Sequence, residues 1–345
     1  MHTQKWQIKK LDGCVSSNGK PYYVSLKPGR VNKLLVNFLG GGASWNEETA
    51  QRPMTLPALM AKKEAFYIPH MSPMMLKLGQ VGLLSAKDGR NPFHDWYILN
   101  IPYATADFHI GNADFSYRDS RGRGKILHHH GAKNAQAAIA QLKPFFSQTP
   151  DVLAITGSSA GAFGCLAHGA NIAALYPACE NITLYAEGAN LVWARWPEIA
   201  SDVWQVGPEL KAYIKSKDLV FDLFSYARDH MPKHTRFLHA VSVWDEALTR
   251  FMAKMNHGKM EINEERLADF HTSLLSVVKK LEENIEQYRY YLTDYGKQKD
   301  GTTPHVFMGS AKLLYGKMQE DIALASWISK ALETMPSSVG RKFTD

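Results

Sequence analysis

Cysteine is scarce in this sequence, and long apolar runs are missing. Three cysteines, Cys14, Cys165 and Cys179, are spread through 345 residues. So small and odd a set is no disulfide framework, and no C-x-x-C pair offers a zinc site; at most one disulfide is allowed. Cys165 reads as a small buried residue. No hydrophobic stretch approaches the roughly 18–20 residues of a membrane span, so no stable membrane insertion is expected. The stretch Met1 to Trp6 lacks the apolar core of a signal peptide, and a mature exported form is favoured over a cytoplasmic one. No G-x-G-x-x-G or G-K-[ST] pattern supports a phosphate loop, and no repeat, low-complexity tract or linker divides the chain.

Hydrophobic residues make up 45% of the sequence, enough for one large core or two domains. Forty Lys and Arg against 33 Asp and Glu give a net charge of +7. The positive residues are dispersed in small groups, such as Lys9-Lys10, Lys62-Lys63 and Lys279-Lys280, which read as solvated faces. Basic and aromatic residues do not interleave along one stripe, so nucleic acid is not the expected partner. A basic balance suits an acidic substrate better, such as a uronic-acid polymer.

Apolar strands alternate with helical segments. Lys33 to Leu39 and Trp96 to Tyr103 read as buried strands, with further strands at Val152–Thr156, Leu184–Ala186 and Phe237–Ser242. Gly131 to Leu142 reads as a helix. A longer helix is expected from Asn263, as N-cap, to Tyr295, with Gly296 as its stop. Trp204 to His230 reads as helical and as a cover for the mouth of a site. The pattern implies a three-layer α/β fold, a mostly parallel sheet with helices on both faces. We expect one hydrolase domain over residues 1–345, with helical insertions around 200–232 and 260–296.

Residues Gly157-Ser158-Ser159-Ala160-Gly161 form a G-x-S-x-G motif between a strand and a small-residue helix start. That is the context of a nucleophile elbow, in which a sharp turn lifts a serine hydroxyl above the sheet edge. A serine needs a histidine base and an acid to orient that base. Asp245, after an apolar strand and before a helix, is placed for the acid, with Glu246 and Asp222 as rivals; an N-cap is the plain alternative for Asp245. His305 lies in a loop past the long helix and suits the base. The triplet His128-His129-His130 precedes the serine, and neighbours on a strand face opposite ways, so it reads as structural or surface. The Gly40-Gly41-Gly42-Ala43 loop follows a buried strand, where glycine leaves N–H groups open to a substrate; a plain tight turn is the alternative there.

In order along the chain, these landmarks resemble the pectin acetylesterase family. Leu39-Gly40-Gly41-Gly42-Ala43-Ser44-Trp45 is similar to its oxyanion loop, and Ile101 to Asp107 to its Pro-Tyr-Cys-x-x-Asp segment. Gly157 to Ala162 is similar to its elbow, Ser242-Val243-Trp244-Asp245 to its acid segment, and His305 lies where the family places its base. The resemblance implies an α/β-hydrolase-like fold and ester hydrolysis without metal or cofactor. It casts Ser159, His305 and Asp245 as nucleophile, base and acid, and Gly41, Gly42, Ala43 and Ala160 as oxyanion donors. Trp45, Asp107 and His109 are expected to line the substrate site. Ala162, Ala104 and Ala43 depart from the family's pattern, which loosens what it implies for substrate and location. The expected substrate is an O-acetylated carbohydrate, with Trp45, Trp193, Trp196 and Trp244 as a sugar-stacking wall. A longer acyl ester held by residues 204–230 is the alternative, and a binding module with a vestigial elbow is the third reading. Oligomeric state is left open.

Overall fold

The apolar runs pair into a central sheet. A computed structural model describes residues 5–344, so the leader reading at Met1–Gln4 falls outside the described residues. In chain order the strands that matter are β1 (Gln7–Val15), β2 (Pro21–Lys27), β3 (Lys33–Phe38), β4 (Tyr97–Ile101), β5 (Ala113–Arg118), β6 (Gly124–His129), β7 (Val152–Ser158), β8 (Ile182–Glu187), β9 (Arg236–Ser242) and β10 (Tyr288–Thr293). Eight strands form one sheet in the order β1-β2-β4-β3-β7-β8-β9-β10. From β4 to β10 the neighbours run parallel. β1 and β2 add an antiparallel edge.

Alternation along each strand fills both faces, as a sheet covered on two sides requires. Leu34, Val36, Leu153, Ile155 and Leu184 enter one apolar cluster. Leu35, Ala154, Tyr185 and Leu238 enter the other. The first face carries the helix Ala160–Ala173, whose residues from Ala160 to Gly169 are all buried. The second carries the helix Leu324–Ala331 and the segment around Trp96. Chain order reverses between β3 and β7: from β3 the chain steps out to β4, and from β7 it steps the other way through β8 to β10. In such sheets ligands bind outside the carboxyl ends at the reversal. Phe38 pairs with Gly157 there, so the glycine loop and the elbow leave the sheet side by side.

Three segments depart from expectation. The helix capped by Asn263, whose side chain accepts from the Arg266 N–H at 2.9 Å, ends at Asn284 rather than Tyr295. Tyr288 to Thr293 pairs with β9 instead, because its alternating aromatics fit a buried strand better than a helix. Trp204 to His230 is broken into a helix of four residues and the helix Leu219–His230. The latter packs on Ala160–Ala173, with Leu223 and Phe224 in the core, and does not cover a mouth. In the histidine triplet, His129 turns inward to the Thr105 carbonyl at 3.0 Å. His128 and His130 face outward together and meet Asp114 across the β5–β6 hairpin at 2.6 and 2.9 Å.

Candidate active site

The end of β7 sets the position of Ser159. Its φ of +54° and ψ of −127° lie where residues with a side chain are rarely found, and such strain collects at functional turns. The Ser159 N–H extends the ladder to β8, donating to the Glu187 carbonyl at 2.7 Å, and the Ala162 N–H donates back to the Ser159 carbonyl at 2.9 Å across the turn. Gly161 permits the close approach behind it: a Cβ there would sit 2.1 Å from the Phe38 carbonyl oxygen.

His305 lies with Nε2 2.8 Å from the Ser159 Oγ and Nδ1 2.7 Å from the Asp245 Oδ2. Asp245 is fully buried and serves two ends at once. Its Oδ1 accepts the Leu248 N–H at 2.9 Å as N-cap of the helix Glu246–His257, while Oδ2 faces the imidazole. Thr303 ties the two loops together. Its N–H donates to the Trp244 carbonyl at 2.9 Å, its carbonyl accepts from the Glu246 N–H at 3.2 Å, and its hydroxyl accepts from Ser242 at 2.5 Å. Glu187, fully buried at the end of β8, holds the far side of the histidine loop. Its Oε1 accepts from the N–H groups of Phe307 at 2.8 Å and Met308 at 3.1 Å, and its Oε2 accepts from the Tyr185 hydroxyl.

Burial works to lower the His305 pKa. The Asp245 carboxylate outweighs it by charge and hydrogen bond, Glu187 adds to the effect, and the net is a pKa above the ordinary imidazole value. Burial pushes the Asp245 carboxyl up, against the pull of His305 and of the Leu248 and Ala247 N–H groups. The arrangement therefore favours a charge pair whenever the imidazole takes a proton.

Facing the serine, Gly40, Gly41 and Gly42 line a cavity of about 340 Å³ with Ser159, Ala160 and His305. Among the described residues the N–H groups of Gly41, Gly42 and Ala160 have no protein acceptor, so they are open to an oxyanion. Ala43 is different. Its N–H donates to the Phe66 carbonyl at 2.8 Å, part of a short bridge between the loop and Tyr67, and Ala43 is fully buried. The expectation that it supplies an oxyanion donor is corrected. Ser158 apart, the rest of the cavity wall is apolar and includes Met54, Phe108, Phe163, Leu191, Leu248 and Phe251.

The other expected lining residues lie behind this wall. Trp45 is buried against Phe66, Trp193 and Phe251, one layer back. Trp193 and Trp196 pack on each other, and Trp244 stacks on His271, so no sugar-stacking wall faces the serine. No residue of 204–230 lines the cavity. Asp107 is buried and accepts from the Thr105 hydroxyl and from the N–H groups of His109 and Gly131. Desolvation raises its pKa to about 7 against those bonds. Desolvation lowers that of His109 to about 3, so its imidazole is neutral, and Nε2 sits 2.9 Å from the Leu39 carbonyl. Neither lines the cavity; His109 supports the chain leading into the glycine loop, and Asp107 holds the backbone of His109. Of the rivals for the acid, Asp222 accepts from the N–H groups of Lys215 and Ser216, and Glu246 is exposed beside Arg250. Glu187 was missed by the sequence reading, although an acid following the apolar run Leu184-Tyr185-Ala186 was the available signal.

A family model described as pectinacetylesterase matches residues 10–189, more than half of the chain. The chain belongs to the pectinacetylesterase family. It is a carboxylic ester hydrolase. Among solved structures, two crystal forms of the Wnt deacylase Notum from Drosophila share the fold. One is 15% identical with a TM-score of 0.59, covering 96% of this chain and 95% of that chain. The other is 17% identical with a TM-score of 0.61, covering 97% and 96%. The fold is α/β-hydrolase-like. No match was found among curated proteins. No helix among the described residues is long and apolar enough to cross a membrane.

Proposed function

We propose that this member of the pectinacetylesterase family cleaves its ester through an acyl-enzyme on Ser159. His305 takes the hydroxyl proton at Nε2 as the Ser159 Oγ attacks the ester carbonyl. Asp245 holds the ring with Nδ1–H toward its carboxylate and steadies the imidazolium. The N–H groups of Gly41, Gly42 and Ala160 meet the oxyanion. His305 then returns the proton to the departing alkoxide, and water repeats the sequence on the acyl-enzyme to release the acid.

We assign the substrate as an ester whose acyl chain is longer than acetyl. The observation that supports this is the cavity beside Ser159, whose wall beyond the reacting groups and Ser158 is made of aliphatic, phenyl and methionine side chains. An acetyl group leaves most of its 340 Å³ unfilled, and a uronic acid finds no cation in the wall. The Drosophila neighbour, a Wnt deacylase, agrees with this reading. Deacetylation of a carbohydrate is the second reading, favoured by the family's name. Comparing kcat/KM for p-nitrophenyl acetate, butyrate and octanoate separates the two. A preference for octanoate is expected, and a preference for acetate overturns it. A fluorophosphonate probe should label the wild type and leave Ser159→Ala unlabelled; equal labelling of both removes Ser159 from the chemistry.

A further inference from the structure

Nine large hydrophobic residues are exposed among the described residues, and seven of them lie between Leu56 and Val81. Singly scattered apolar residues on a surface need no cause, whereas a group in one segment does. The helix Leu56–Met60 has no buried residue, and its Leu56, Leu59 and Met60 are 70%, 53% and 78% exposed. In the helix Pro73–Leu78 only Leu76 is buried, and Met74 and Leu78 are 69% and 68% exposed. Neither helix uses these side chains to hold the fold.

Both helices are moored to the rim of the cavity. Met54, which lines it, precedes the first helix and donates its N–H to the Tyr67 carbonyl at 2.7 Å. Between the helices, the Ile68 N–H donates to the Gly41 carbonyl at 2.8 Å. After the second helix, the Leu83 N–H donates to the Met308 carbonyl at 2.9 Å, three residues past His305. The segment thus borders the oxyanion loop on one side and the histidine loop on the other. Its unpaired charge has one sign. Lys62, Lys63 and Lys77 are exposed and make no ion pair among the described residues, while Glu64, the segment's one acid, is paired with Arg52.

We propose that residues 56–81 seat the mouth of the cavity on an anionic lipid–water interface. Leu59, Met60, Met74 and Leu78 enter the acyl boundary, and the three lysines meet the headgroup phosphates. The proposal rests on the reading that the substrate carries an apolar acyl chain. Such a chain passes from the interface into the cavity without crossing water, which removes the cost of exposing it during transfer.

The test is flotation of the full chain carrying Ser159→Ala, so that binding is read without turnover. Vesicles of phosphatidylglycerol mixed with phosphatidylcholine are compared with vesicles of phosphatidylcholine alone. The protein should float with the anionic vesicles at least about tenfold more, an advantage that added salt erodes. The variant Leu59→Asp/Met60→Asp/Leu78→Asp should lose flotation and keep its butyrate hydrolysis, in the Ser159 background restored to serine, within about twofold. Failure of the parent to float, or equal flotation of parent and variant, overturns the proposal. So does a dimer in sedimentation that the same variant dissociates, since the patch then meets a second copy of the chain. Flotation with no hydrolysis of any ester leaves the docking in place and removes the proposed chemistry; octanoate hydrolysis without flotation does the reverse.

Discussion

Asp245→Asn is the sharpest perturbation of this site, because one carboxylate both caps a helix and orients His305. The buried carboxyl gives Oδ1 to the Leu248 N–H and Oδ2 to the His305 Nδ1. Asparagine has one oxygen for two donors. If that oxygen keeps the cap, its NH2 faces Nδ1 and drives the ring proton to Nε2. A ring with Nε2–H cannot take the proton of Ser159. If the oxygen faces Nδ1 instead, the NH2 opposes the Leu248 N–H and the cap is lost, at about 1 kcal/mol. In either orientation the charge is gone. Opposite charges about 4 Å apart attract by about 4 kcal/mol at an effective dielectric near 20, which is about a thousandfold in rate. Loss of the tautomer brings the expected fall in kcat to about 10³–10⁴-fold. The rising limb of the pH profile should move as well. His305 acts when neutral, and Asp245 holds its pKa above the ordinary 6.5, so removing the charge shifts the limb to lower pH. The assay is butyrate hydrolysis between pH 4 and 9, with thermal denaturation alongside. A kcat within tenfold of wild type, or a limb that moves to higher pH, refutes the reasoning.

Three further outcomes follow from the same geometry. Gly42→Ala places a Cβ 1.8 Å from the Phe66 carbonyl oxygen at a φ of +80°, so the loop must move; kcat should fall about 10²–10³-fold, with a lowered melting temperature, and unchanged kinetics would exclude the loop from the oxyanion site. Glu187→Gln keeps one oxygen for the Phe307 and Met308 N–H groups, turns an NH2 toward the Tyr185 hydroxyl, which loses its acceptor, and removes a charge that raises the His305 pKa. It should cost about 1–3 kcal/mol in denaturant melts and move the activity limb to lower pH, whereas a purely structural role would leave that limb in place. Ala247→Phe puts a ring into the cavity wall and should cut the octanoate-to-acetate ratio of kcat/KM at least about tenfold; an unchanged ratio would mean that the acyl chain lies elsewhere.

What was legible in the sequence was what short spacing encodes. The G-x-S-x-G turn and the apolar strands each depend on a few neighbouring residues, and the strands and the elbow turn formed near where they were read. What was illegible depends on partners far along the chain. Ala43 carries the same backbone donor as Gly42, and only the pairing with Phe66 removes it from use. Trp45 looks like a sugar platform until Phe251, two hundred residues later, covers it. His109 has the right chemistry for a site, but Phe38, Tyr103 and the Leu39 carbonyl enclose it. The helix that continued to Tyr295 in the sequence reading failed because helical and strand periods both fit Ile285 to Tyr291, and pairing with β9 decided between them.

The dependence on distant partners also explains how the site's geometry is specified. Gly157 pairs with Phe38, Ser158 with Glu187 and Ser242 with Thr293, so the strand ends that carry the glycine loop, the elbow and the acid loop are held level by backbone register. A slip of one residue in any pair turns that strand's side chains to the opposite face and moves its loop by about 3.3 Å along the sheet. Such a slip would part Ser159 from His305 by more than a hydrogen bond can span. It would also bury a different set of apolar residues, which both core clusters oppose. The core therefore fixes the register, and the register fixes the distances at the site. Many sequences can fill such a core, since cores tolerate exchange of apolar residues at conserved volume. That is why a chain only 15–17% identical can share the fold.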